Sequence, residues 1–146
     1  MYFKHTYVLM KKIVITFLLF VSLLFSCSVS DDTPRSYFEF LPIESVQMPD
    51  TFTRYQTHNI DLFYNLPSTC HVLNDIYYAI NENQRTVAIV SEVYTASDNC
   101  QEIITEAETS FAFRPTELGT YIFKFWQGED ELGEDHYNVV EIEVVE

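Results

Sequence analysis

Two hydrophobic patterns divide the chain. Between residues 13 and 25 apolar side chains run almost unbroken, Ile13-Val14-Ile15-Thr16-Phe17-Leu18-Leu19-Phe20-Val21-Ser22-Leu23-Leu24-Phe25. Polar residues follow at once, at Ser28, Ser30, Asp31, Asp32, Thr33 and Pro34. From residue 43 onward apolar residues recur mainly at every second position, the period of a half-buried β-strand. Residues 43–48 read as a first strand stopped by Pro49-Asp50, and 51–57 as a polar connection. Ile60, Leu62, Tyr64 and Leu66 alternate with Asp61, Phe63 and Asn65 as far as Pro67. A further strand spans 72–82, with Val72, Asn74, Ile76, Tyr78 and Ile80 on one face.

Turn-forming residues at 81–85 precede the segment 86–95, whose β-branched content predicts a strand buried on much of both faces. After a turn at 96–99, Ile103, Thr105, Ala107, Thr109, Phe111 and Phe113 alternate with Ile104, Glu106, Glu108, Ser110, Ala112 and Arg114. Glu and Ala would suit a helix over 101–108, but the two-residue period continues to Phe113 and decides for strand. A corner at 115–119 leads to Tyr121, Phe123 and Phe125, alternating with Ile122, Lys124 and Trp126. An acidic hairpin loop at 128–133 precedes a last strand at 135–145. That strand carries Val140, Ile142 and Val144 on one face and Glu141 and Glu143 on the other. About seven strands separated by turn signals, with no long helix, predict an all-β fold, an antiparallel β-sandwich.

The leading apolar run reads as an export signal. Lys4, Lys11 and Lys12 precede it, and Met10 is an alternative start. Its length fits the roughly 7–15 residues of a signal core and falls short of the roughly 20 needed to span a bilayer. Leu24-Phe25-Ser26-Cys27 resembles the bacterial lipoprotein box. The resemblance implies diacylglycerol on Cys27, cleavage before it, and anchoring at the outer membrane on its periplasmic or cell-surface face. One acyl chain binds a membrane only marginally, whereas two or more hold it stably. On this reading residues 1–26 are removed, 27–42 form a tether and 43–146 form the domain. Tyr37-Phe38-Glu39-Phe40 is apolar for a tether, and either adds an edge strand or covers the base of the domain. Ser28-Val29-Ser30-Asp31-Asp32 resembles the acidic surface-export signal of some Bacteroidota lipoproteins; it reads equally well as a flexible acidic linker.

Charge narrows the partners. All 22 acidic residues follow Cys27, and only Arg35, Arg54, Arg85, Arg114 and Lys124 remain as bases, so the mature net charge is −17. That opposes binding to nucleic acid or to bare anionic lipid. Aromatic residues make up 16% of the chain, enough for a packed core rather than an acidic disordered segment. With 3 glycines there is no glycine-rich phosphate cradle.

With Cys27 assigned to the anchor, Cys70 and Cys100 remain, and an even pair in an exported chain predicts a disulfide. It would close a 31-residue loop, stabilising by about 3–4 kcal/mol on the loop-entropy account. Free thiols, or a metal pair with His71, are the alternatives. The latter lacks a fourth ligand and the short paired spacing of a zinc site.

Leu118-Gly119-Thr120-Tyr121 resembles the corner before the sixth strand of immunoglobulin-like domains, where a tyrosine hydroxyl bonds back to nearby backbone. The resemblance extends to the sandwich class and not to the core disulfide, because Phe123 stands where the second cysteine would be. In layout the whole chain resembles the small single-domain lipoproteins of Bacteroidota. No functional residues come with that layout.

Candidate chemistry is sparse. The stretch Gly128-Glu129-Asp130-Glu131-Leu132-Gly133-Glu134-Asp135-His136 offers hard oxygen ligands, but lacks the spacing of an EF-hand loop and reads as a solvated hairpin tip. Trp126 and Ile122, beside Phe63 or Tyr77, would form a binding patch if exposed and ordinary core if buried. His5, His58, His71 and His136 show no pattern with a nucleophile, and Ser45, Ser68, Ser91 and Ser110 lack a Gly-x-Ser-x-Gly context. The expectation is a non-enzymatic binding or structural module with no cofactor, no metal and no nucleic-acid partner. Its partners would be the membrane, through the lipid, and a protein or glycan. The alternative is an accessory subunit or inhibitor of a secreted enzyme or envelope complex, acting through loop 128–135 or 95–101.

Overall fold

The computed structural model describes residues 35–95 and 99–146, and all their helix or sheet structure is strand. The strands are β1 (Ser36–Leu41), β2 (Ile43–Gln47), β3 (Thr51–Thr53), β4 (His58–Leu66), β5 (His71–Asn81), β6 (Gln84–Tyr94), β7 (Thr105–Phe113), β8 (Gly119–Glu129) and β9 (Asp135–Val145). They form two packed sheets, one of six strands and one of three, so the fold is an all-β sandwich.

β6 is the hub of the larger sheet. β5 pairs antiparallel along one of its edges, from His71↔Val93 to Asn81↔Gln84. The other edge is shared: β1 runs antiparallel beside 89–94, and β8 runs parallel beside 84–87. β9 then pairs antiparallel with β8, and β3 parallel with β9. The smaller sheet is β2-β4-β7, all antiparallel. Pro42 lies where the chain leaves β1 in one sheet for β2 in the other, a position that needs no backbone donor.

Four expectations are corrected here. There are nine strands among the described residues rather than seven, and two pairings are parallel, so the larger sheet is mixed. β1 takes the edge-strand alternative for Tyr37-Phe38-Glu39-Phe40 and places residues 36–41 in the sandwich, so the expected tether boundary at 42 is corrected. β3 arises inside the expected polar connection, because one fully buried side chain, Phe52, suffices to seat it. Three residues are too few to show a period. The expected export signal, Cys27 and the acidic stretch 28–32 lie outside the described residues.

The two sheets meet over a core dominated by aromatic rings. Ile60, Leu62 and Tyr64 of β4 face Val87 and Ile89 of β6, Tyr121, Phe123 and Phe125 of β8, and Ile142 and Val144 of β9. Phe123 crosses the interface: its ring lies 5.1 Å from Phe113 of β7, 6.1 Å from Phe52 and 5.9 Å from Phe125. β6 is buried on both faces over Val87, Ala88 and Ile89, as its composition predicts. The Tyr121 hydroxyl accepts the Glu117 N–H at 3.4 Å, which ties the start of β8 back to the corner before it. Gly119 supports that corner at φ 105°, a conformation that side-chain-bearing residues rarely adopt.

Cys70 and Cys100 form the expected disulfide, with Cα atoms 5.4 Å apart. It ties the β4–β5 turn to the segment leading into β7. Beside it the Thr69 N–H donates to the Gln101 carbonyl, and the Gln101 N–H donates to Thr69 Oγ1, both at 3.0 Å. Beyond this tie the sheets are unequal in width. Strands sit about 4.8 Å apart, and the three-stranded sheet leaves the inner face of β5 partly open. Tyr78 of that face is half-exposed and Ile80 is 65% exposed.

Candidate functional site

Alternation along β8 sets the outer face of the larger sheet. Tyr121, Phe123 and Phe125 point into the core, so Ile122, Lys124 and Trp126 point outward. The registers Phe40↔Val90, Tyr77↔Ala88 and Trp126↔Tyr137 place Phe40, Tyr77 and Tyr137 on the same face. Phe40 lies at the centre of a cluster, 5.6 Å from Tyr77 and 5.8 Å from Trp126 between ring centroids. Phe40 and Tyr77 are each close to half exposed, and Phe38 on the same strand is 62% exposed.

Asp135 organises the other side of Trp126. It accepts the indole N–H at 2.8 Å and the Tyr137 hydroxyl at 3.0 Å. The Lys124 ammonium sits 4.0 Å from the centre of the Tyr137 ring. Burial first, and then the hydrogen bond and charge of Asp135, raise the Tyr137 pKa above that of an ordinary phenol, so it stays a donor at neutral pH.

The anticipated patch is therefore split. Ile122 shares the face of Trp126, four residues along the strand with Lys124 between them on that face. Phe63 does not. On β4, Ile60, Leu62 and Tyr64 turn inward, so Phe63 turns out on the opposite side of the sandwich. There it lines a shallow groove of about 600 Å³ with Glu44, Ser45, Glu106 and Glu108. Sequence reasoning missed Phe40 as a member of the cluster. The signal available was the apolar run Tyr37-Phe38-Glu39-Phe40 in a segment expected to be polar.

A second group was also missed. Ser68 Oγ lies 2.7 Å from His71 Nδ1, and His71 Nε2 lies 2.7 Å from Glu39 Oε1. With the proton on Nε2, the imidazole donates to Glu39 and accepts from Ser68. Serine, imidazole and carboxylate in series are two links of a nucleophile relay. The neighbouring donors are already used. The Thr69 N–H goes to Gln101, the Cys70 N–H to Ser68 Oγ itself, and the His71 N–H to the Ser68 carbonyl. None of these three is left to hold an oxyanion. The geometry is that of a clip joining the β4–β5 turn to β1. A serine and a histidine three residues apart hint at it, but Glu39 is 32 residues away and becomes a neighbour only through the fold.

The acidic hairpin loop is organised by its own backbone. Asp130 Oδ1 accepts the N–H groups of Leu132 at 2.8 Å and Glu134 at 2.9 Å. The backbone bonds from Glu134 and Leu132, in that order, hold the Asp130 pKa below that of an ordinary carboxylate. Among the described residues no three His, Cys, Asp or Glu side chains gather as a metal site. Because folding lowers this pKa, the loop contacts are present above the ordinary value of about 3.9 and fade as pH falls below it. The Leu132 and Glu134 amides are expected to keep their hydrogen-exchange protection down to about pH 4 and to lose it in more acid solution. In Asp130→Ala they should exchange fast at every pH. Protection that persists unchanged in that variant would refute the assignment.

Fold and surface together define a disulfide-tied β-sandwich with an exposed aromatic face on its larger sheet. Comparison with family models, curated proteins and solved structures returns no match.

Proposed function

We propose that the chain is a lipid-anchored, extracytoplasmic binding module without catalytic activity, held at the outer membrane through Cys27, whose aromatic face takes a neutral glycan. The Phe40–Tyr77–Trp126 cluster carries this reading. Its rings touch one another on a surface that the fold has no need to make apolar, and exposed patches of this kind mark binding sites. A pyranose lays its C–H face on an aromatic ring while its hydroxyls reach polar neighbours, here Asp135 and the Tyr77 and Tyr137 hydroxyls. The net charge, −14 for the whole chain and −17 without residues 1–26, repels acidic polymers, which favours an uncharged ligand. The disulfide suits an oxidising compartment, and the lipoprotein box supplies the anchor.

The test uses the single tryptophan of the chain, which lies in the cluster. Soluble neutral glucans or mannans titrated into the full-length protein in detergent should change Trp126 emission in a saturable way. Alginate should not, and the double variant Phe40→Ala/Tyr77→Ala should lose the response. No response to neutral glycans, or an unaltered one in the double variant, overturns the binding reading. For the anchor, Cys27→Ser should release the protein from the envelope fraction; retention at full mature size would contradict it.

A second reading, an accessory subunit of an envelope complex, is supported by a different feature, the edge of β7 that no strand among the described residues covers.

A further inference from the structure

We infer that β7 accepts an added β-strand from a basic partner protein: an extended segment with apolar residues at alternate positions and lysine or arginine between them. This deepens the accessory-subunit reading and does not depend on the aromatic face of the other sheet.

Three observations carry it. First, β7 pairs with β4 through all nine of its residues, from His58↔Phe113 to Leu66↔Thr105, and among the described residues no strand lies on its other side. Its outward N–H and C=O groups form a regular, unbulged template for strand addition. The other long edge, β5, is interrupted by a register shift between Leu73 and Asp75, which blunts it.

Second, there is room for the side chains of an added strand. The smaller sheet stops at β7 while the larger one continues over it to β5. Between them lies a groove of about 510 Å³ lined by Ile76, Tyr78, Ile80, Phe111 and Arg85. Tyr78 and Phe111 meet across it at 5.7 Å. A fourth strand in the smaller sheet would send every second side chain into this groove, completing the sandwich and covering Ile80, which is 65% exposed.

Third, charge selects the partner. On β7, Glu106 and Glu108 point to the outer face, beside Asp61 of β4. No Lys or Arg stands on β2, β4 or β7. Outward side chains of an added strand would lie directly beside the two glutamates, so basic residues are attracted there and acidic ones repelled. The same glutamates oppose pairing with a second copy of this chain, whose net charge is also strongly negative.

The test uses full-length protein in detergent and three synthetic nine-residue peptides. One alternates valine with lysine, one alternates valine with glutamate, and the third is the lysine peptide N-methylated at alternate residues. Calorimetry should show the lysine peptide binding at least about tenfold more tightly than the glutamate peptide, more weakly as salt rises. N-methylation removes the backbone donors and keeps the charges, so the third peptide should not bind. Glu106→Lys/Glu108→Lys changes only exposed side chains and should invert the preference between the first two peptides.

Equal binding of the lysine peptide and its N-methylated form would reduce the effect to charge attraction and overturn the proposal. So would absence of binding, or a charge preference unmoved in the double variant. A concentration-dependent dimer that the lysine peptide cannot displace would assign the edge to a second copy instead. Phe40→Ala/Tyr77→Ala should leave peptide binding intact, so this proposal and the glycan reading fail separately.

Discussion

Phe123→Ala is expected to lower the stability of the domain by about 3–5 kcal/mol, the range for removing a large buried ring. Phe123 is fully buried and contacts rings from β3, β7 and β8 itself, so its loss leaves a cavity with walls on both sheets. Those walls are themselves large rings and collapse poorly, which places the cost toward the upper end. Domains of this size have only about 5–15 kcal/mol in total. The variant should therefore unfold at a much lower urea concentration with a similar slope. Phe38→Ala is the matched control. Its ring is 62% exposed, and its removal should change stability by no more than about 0.5 kcal/mol. A Phe123→Ala midpoint as close to wild type as that of the control would mean that the sheets do not meet at this ring. Here the two sheets are pinned by aromatic packing around Phe123.

The alternation that identifies β4, β7, β8 and β9 was readable because each has one face on the core and one on solvent. The same rule decided correctly against a helix over 101–108. What the period cannot express is the sheet to which a strand belongs. Phe63 and Trp126 both read as outward residues of amphipathic strands, yet they lie on opposite sides of the sandwich because β4 and β8 joined different sheets. β1 was legible only as one of two alternatives, for another reason. Its Glu39 contacts His71 and its Phe38 and Phe40 face outward, so the strand shows apolar side chains on the wrong side for a simple amphipathic reading. β3 is seated by Phe52 alone. The disulfide was legible because it depends on simple pairing of the two cysteines left in the domain. The Ser68–His71–Glu39 clip and the groove beside β7 were not, since both are products of strand order.

The disulfide carries the second large expectation. Cys70→Ser/Cys100→Ser should cost about 3–4 kcal/mol, because the unfolded chain regains the freedom of a loop of 30-residue separation. Native contacts at the tie should survive in part, since the reciprocal bonds between Thr69 and Gln101 do not involve sulfur. The loss is therefore placed mainly in the unfolded state. This location has its own signature. The uncrosslinked chain unfolds to a more extended ensemble, so the urea slope should rise while the midpoint falls. Wild type treated with reductant should reproduce both changes, and the double variant should not respond to reductant. The tie fastens the start of β5 to the segment before β7, away from the Tyr78, Ile80 and Phe111 side chains that line the groove. An unchanged midpoint in the double variant would show that the cross-link constrains nothing the fold does not already hold.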